Sequence, residues 1–219
     1  MPPKGKGAGD LVRACGKAAL IKGRWLADTY ASGLGECARR LRPGQAVSED
    51  LIIRPLERCD LPAALTIQSE VYPDFLVEPA DAFASRLDVS PQFCLAAVSD
   101  GELVGYLLAH GWPRQSPPPV GAILSPSARS EVLFIHDLAV GAKGRGLAVG
   151  RRLVNHAFEL AAHQKLARAE LIAVEGAAAY WRSLGFAAAE VPAELEAKVS
   201  VYGPQACWMT RIIASPAIA

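Results

Sequence analysis

The stretch IHDLAVGAKGRGLAVGRRLV, residues 135–154, decides how the chain is read. Residues 135–140 are a strand-like apolar run, residues 141–146 a glycine-rich basic turn, and a helical pattern follows. Glycines 141, 144 and 146 permit positive φ and close backbone approach. A helix that starts at such a turn leaves its first N–H groups without carbonyl partners, at the positive end of its dipole. Lys143 and Arg145 add charge beside them. The turn is therefore a seat for a pyrophosphate, although a glycine-rich connection with solvated basic residues has the same composition. Three carriers suit such a seat: a nucleoside triphosphate, a dinucleotide, or coenzyme A.

Working outward, Val149, Leu153, Ala157 and Leu160 form one apolar stripe, which predicts a helix over residues 146–164. AELIAVE (169–175) reads as a buried strand, AAAYWRSLG (177–185) as a short helix closed by Gly185, and ACWMTRII (206–213) as a final strand. On the other side, LIIRPL (51–56) is a short strand. CDLPAALTIQSEVY (59–72) is a helix with Asp60 as N-cap and Pro62 in its first turn, and EPADAFASRLD (78–88) is a second helix. FCLAAVSDGELVGYLLAHGW (93–112) is two β runs joined at Ser99-Asp100-Gly101, a hairpin signal, and residues 112–130 are a Pro/Ser-rich loop. The order β-α-α-β-β-β-α-β-α-β-β predicts a mixed α/β sheet.

The 219 residues carry a formal charge of +1, which gives no sign of nucleic acid or an anionic membrane as partner, and no apolar run reaches bilayer length. Cysteines 15, 37, 59, 94 and 207 form no CxxC pair, which predicts reduced thiols and a cytoplasmic protein. Residues 1–50 are rich in Gly, Ala, Lys and Arg and read as a basic extension, partly helical or disordered, before a domain over residues 51–219.

The GxxxxGK[ST] pattern of a nucleoside-triphosphate loop is absent. Gly144, Gly146 and Gly150 form a GxGxxxG run, but a dinucleotide fold needs more parallel strands than a hairpin-rich chain supplies. Lys143-Gly144-Arg145-Gly146-Leu147-Ala148 resembles the acyl-CoA signature [QR]-x-x-G-x-[GA] of the GNAT N-acetyltransferase superfamily. IIRPLERCD, DGELVGYLLA, HDLAV, AYWRSLGF and YG-x-x-A-x-x-M match that superfamily's layout in order, over about residues 51–213. Within it, IHDLAV looks most like the arylalkylamine (serotonin-type) N-acetyltransferases. Lys143 stands where Gln or Arg is usual, and the loop between Val140 and Gly146 is about two residues shorter than the common pattern.

The resemblance implies a mostly antiparallel sheet splayed between its fourth and fifth strands, with helices on both faces. It implies acetyl-CoA as co-substrate and no metal. Leu138, Ala139 and Val140 would pair with the pantetheine arm, Lys143, Gly144, Arg145, Gly146, Leu147, Ala148 and Val149 would hold the pyrophosphate, and Ile172 would line the other lip of the opening. His136 is the expected general base, through water, and packing on the strand is its structural alternative. Alternation sends Asp137 to the opposite face unless a bulge disturbs the period, and there it serves as base, cation attractor or ion-pair partner. Trp181 aligns with the tyrosine that protonates the departing thiolate in many members, and adjacent Tyr180 is the alternative acid or a core residue. Tyr72, Phe75 and Glu78 are candidates for contact with a small-molecule amine or a peptide amine. A homodimer is compatible with this reading. A non-catalytic acyl-CoA sensor and an NAD(P)-dependent oxidoreductase are the alternatives.

Overall fold

The computed structural model describes residues 51–125 and 130–213, and the expected extension over residues 1–50 lies outside them. The chain runs from β1 (Ile52–Pro55) through α1 (Leu61–Val71) and α2 (Ala80–Val89) to β2 (Leu95–Ser99) and β3 (Glu102–Trp112). It continues through β4 (Val132–Val140), α3 (Val149–His163), β5 (Arg168–Ala173) and α4 (Ala178–Ser183). It ends with β6 (Ala187–Ala188), α5 (Ala193–Ser200) and β7 (Cys207–Ile212).

Seven strands form one sheet in the order β1-β2-β3-β4-β5-β7-β6. Every neighbouring pair is antiparallel except β4–β5. A doubly wound dinucleotide fold is thereby excluded, since it requires a run of parallel strands. The β2–β3 hairpin turns at Asp100 (φ 52°) and Gly101 (φ 76°), the two left-handed residues that a tight two-residue turn demands.

The β4–β5 pair positions the site. It is closed only at Leu133↔Ala169 and Phe134↔Glu170. Beyond Phe134 the strands part, and Leu171–Ala173 pair with β7 alone. The rest of β4 presents its edge to a wedge-shaped opening.

Two apolar layers cover the sheet. On one face Val149, Leu153, Val154 and Ala157 of α3 and Trp181 of α4 pack on Leu107, Leu133, Ile135 and Leu138. On the other, Ile67 and Val71 of α1, Phe83 and Leu87 of α2, and Leu195 and Val199 of α5 pack on Tyr106, Leu108, Phe134 and Ile172. Each such aliphatic or aromatic side chain contributes roughly 1.5–3 kcal/mol by leaving water.

Three details differ from the sequence reading. Helix α5 was not foreseen, because it is short and turns only Leu195 and Val199 inward. Asp60 makes no cap bond to α1, for its carboxylate turns back to Arg54 (2.6 and 2.8 Å) and the Glu57 amide (2.9 Å). Helix α3 begins at Val149 rather than residue 146, because Gly146 (φ 81°) and Ala148 (φ 54°) are left-handed.

Candidate functional site

The site is built on an irregularity in β4. Leu108 pairs with Asp137 and Ala109 with Ile135, so His136 is an extra residue without a partner on β3. An extra residue of this kind breaks strand alternation. Ile135 and Leu138 point into the α3–α4 layer. His136 and Asp137 both point into the other layer, where their partners Glu78, Arg86, Tyr72 and Tyr106 lie. This bulge, two residues past Phe134, the last residue of β4 paired with β5, is the disturbance of period on which the placement of Asp137 depended, and it puts Asp137 on the face of His136.

His136 is 0% exposed. Its Nε2 lies 3.0 Å from an Arg86 terminal nitrogen and 3.2 Å from both Glu78 carboxylate oxygens. Arg86, also fully buried, donates from its other terminal nitrogen to the carbonyls of Ala82 (2.6 Å) and Ala122 and to Ser85 Oγ (3.1 Å). Arg86 and Glu78 form an ion pair at 3.0 Å. Burial lowers the guanidinium pKa from its ordinary value while Glu78 and Asp137 oppose the shift, and arginine stays charged at any working pH. Glu78 also accepts from the Gly121 amide (2.8 Å). A buried ion pair of this kind is costly to break from one side, because the remaining charge loses its partner.

Asp137 accepts a 2.5 Å hydrogen bond from Tyr72 and a 2.8 Å bond from Tyr106. Burial first, and then the Asp137 charge, holds the Tyr106 hydroxyl well above its ordinary pKa, so it remains a donor. His110 lies 5.7 Å from His136 between ring centroids. Burial, reinforced by repulsion from His136 and Arg86, keeps His110 neutral, and neither of its ring nitrogens has a hydrogen-bond partner among the described residues.

On the opposite side of the opening lies the glycine-rich turn. Its first intrahelical bond runs from Arg152 N to Ala148 O at 3.1 Å, so the amides of Val149, Gly150 and Arg151 precede the ladder. Gly146 faces open space, whereas a side chain at Gly144 would meet Val104 O at 2.7 Å and Val140 Cγ1 at 2.9 Å. Gly144 therefore seats the loop on β3, and Gly146 leaves room above it. Lys143 pairs with Glu102, and Leu147 packs partly into the core. The first-turn amides and the space at Gly146 suit an anion such as a pyrophosphate. The Tyr180 hydroxyl lies against Gly150, near Leu138.

The residues expected to contact an acceptor do not converge on one cleft. Tyr72 and Glu78 belong to the buried network, and Phe75 is a surface residue, 64% exposed. Ile172 is buried on β5 past the last β4 pair, on the far lip of the opening. Trp181 is wholly within the α3–α4 core, while Tyr180, one helical step away, is only partly covered. Arg86, Tyr106 and His110 escaped the sequence reading. Arg86 left one signal, a charged residue on the stripe formed with Ala82, Phe83 and Leu87. Cys59, Cys94 and Cys207 are free thiols with raised pKa values, Cys94 being pushed up to about 12 by burial, so none of these is a ready thiolate. No helix among the described residues is long and apolar enough to cross a membrane.

Comparison with known proteins bears on the fold and the family. The chain is similar to an uncharacterized N-acetyltransferase, YkwB of Bacillus subtilis (strain 168), at 25% identity over 135 residues, covering 55% of this chain and 59% of the relative. It thus spans about three-fifths of that relative's length. Among solved structures it resembles the ribosomal-protein-S18-alanine N-acetyltransferase from Escherichia coli (TM-score 0.53, 19% identity, 76% of this chain and 96% of that one). It also resembles Ard1 from Thermoplasma volcanium (TM-score 0.54, 16% identity, 74% and 97%). A third likeness is to the GphF GNAT-like decarboxylase in complex with isobutyryl-CoA (TM-score 0.57, 12% identity, 74% and 100%). These likenesses concern the fold. The model of the Acetyltransferase (GNAT) family matches residues 61–186, more than half of the chain, so the chain belongs to the GNAT acetyltransferase family.

Proposed function

We propose that the protein moves an acetyl group from acetyl-CoA to a primary amine by direct attack in a ternary complex. The observation that carries this reading is the β4 bulge, which sets His136 against Glu78 near the apex of the β4–β5 opening. The thioester supplies the activated acyl group. The first-turn amides of α3 with Gly146 would receive the pyrophosphate, and the free edge of Leu138, Ala139 and Val140 would run beside the pantetheine arm.

His136 takes the proton that the amine nitrogen loses as it bonds to the carbonyl carbon, through water, since the ring itself is buried. Glu78 steadies the imidazolium so formed, and Arg86 fixes the Glu78 carboxylate. The carbon–sulfur bond breaks and the thiolate takes a proton from the Tyr180 hydroxyl, which lies against Gly150 in the first turn of α3. Asp137 orients β4 through Tyr72 and Tyr106. The raised thiol pKa values support attack without an acyl-enzyme. An arylalkylamine acceptor is the subclass suggested by IHDLAV, which stands at the bulge.

The test is release of free CoA thiol from acetyl-CoA across tryptamine, phenethylamine, polyamines, amino acids and peptides. Turnover is expected with at least one amine, with intersecting initial-rate lines when both substrates are varied. Parallel lines, the mark of an acyl-enzyme, would overturn direct attack.

A further inference from the structure

The loop after Trp112 and helix α5 enclose a cleft of about 600 Å³ that none of the expected acceptor residues lines. Small-molecule sites run to about 300–1,000 Å³, so the space suits a body the size of a ring. Ile123 (67% exposed) and Val201 (47% exposed) lie on its lining and would gain by being covered. Lys198 carries the one charge on that lining. It forms no ion pair among the described residues.

The cleft is fixed to the bulge in two ways. Trp112, on its lining, stands edge-on to His110 at 4.9 Å, and His110 lies 5.7 Å from His136. Arg86 holds the carbonyl of Ala122, also on the lining, with one terminal nitrogen and lies 3.0 Å from His136 Nε2 with the other. The wall itself is pinned by Gly121 N to Glu78 (2.8 Å), Leu124 N to Ser85 Oγ (2.9 Å) and Trp112 Nε1 to Ser116 O (2.6 Å). Trp112 and Ala122 thus tie the cleft wall to the His110–His136 pair, which is buried behind it, and Lys198 stands on the exposed lining.

We propose that this cleft seats the acceptor, and that the acceptor is an amine with an apolar, ring-sized body and an anionic group at the end away from the amine. The proposal rests on the acyl-transfer reading above. Polycations are disfavoured by Lys198, which offers an anion an exposed ion pair.

The test compares 4-(2-aminoethyl)benzoate, phenethylamine and spermidine as acceptors, in the native protein and in Lys198→Glu and Ile123→Asp. The benzoate is expected to have the lowest KM, roughly two- to fivefold below phenethylamine, as one exposed ion pair gives. Lys198→Glu should reverse that ranking, and Ile123→Asp should raise KM for both aromatic amines more than it lowers kcat. Preference for spermidine, or a ranking unmoved by Lys198→Glu, would overturn the proposal. If no amine turns over, the acyl-transfer reading fails on its own, and calorimetric titration of the benzoate with CoA present decides the cleft. Binding that Lys198→Glu weakens severalfold keeps the cleft as an anion-selective amine site, and binding unmoved by Lys198→Glu, or absent from the native protein, removes it.

Discussion

His136 and Asp137 share a face because one residue too many stands in β4 opposite Leu108 and Ala109. Without that residue, alternation would bury one of the two side chains in the α3–α4 layer, away from Glu78 and Arg86. The identity of His136 was legible because it lies two residues before Leu138 within one continuous motif. Its environment was not, because Glu78 and Arg86 come from residues 58 and 50 positions away and meet it only once α2 packs on the sheet. The turn shows a second single-residue effect. Ala148 is held at φ 54°, a left-handed conformation that costs an alanine about 1–2 kcal/mol. Ala148→Gly should raise stability by roughly 0.5–1 kcal/mol after the loss from a freer unfolded chain, and the thermal midpoint by about 1–4 °C. Gly144→Ala should lower it, by on the order of 1–3 kcal/mol, because the new methyl meets Val104 O, a backbone atom that cannot yield. Thermal melts of the two variants beside the native protein read both signs.

Among the elements, those with a clear period were legible. The hairpin, α1, α2, α3 and the β4–β5 crossover all follow from alternation, a 3.6-residue stripe or turn chemistry. Helix α5 was not, since eight residues with two inward side chains leave too little pattern, and its absence from the sequence reading hid the cleft it helps to form. The parting of β4 and β5 is likewise tertiary. It begins at Glu170, the last residue of β5 paired with β4. Glu170 is buried and accepts from the Gln115 amide at 2.8 Å, tying the loop after β3 to the apex of the opening. Burial raises its pKa, with the Gln115 bond and Arg114 opposing. A carboxyl whose folded pKa is raised favours folding below its unfolded value, near 4.3, and that contribution is lost as pH rises through the folded value. Glu170→Gln keeps the acceptor oxygen and removes the ionisation. Its stability relative to the native protein, read by urea denaturation, should therefore be greatest at neutral pH and shrink toward pH 4. A difference that grows toward acid would contradict the assignment.

At the scale of the whole molecule, the proposed reaction has its two reactants served by opposite layers. The turn, the start of α3 and Tyr180 of α4 form the donor side. The side chains at the bulge, with α2, the loop after β3 and α5, form the acceptor side. The strand, turn and helix of the proposed donor side were legible because residues 135–154 hold them in one run. The acceptor side is assembled from segments between residues 68 and 201, and its order exists only in the fold. The central claim is that His136, held against Glu78 at the bulge, activates the amine, and kcat of His136→Gln with a saturating amine and acetyl-CoA tests it most directly. Glutamine keeps hydrogen-bonding capacity toward Glu78 and Arg86 but cannot take a proton at neutral pH. The account predicts a fall in kcat of about 10²-fold or more, with acetyl-CoA affinity and thermal midpoint close to native. A variant that turns over within about twofold of the native rate, at the same affinity, would contradict it, since a positioned base contributes about 10²-fold or more.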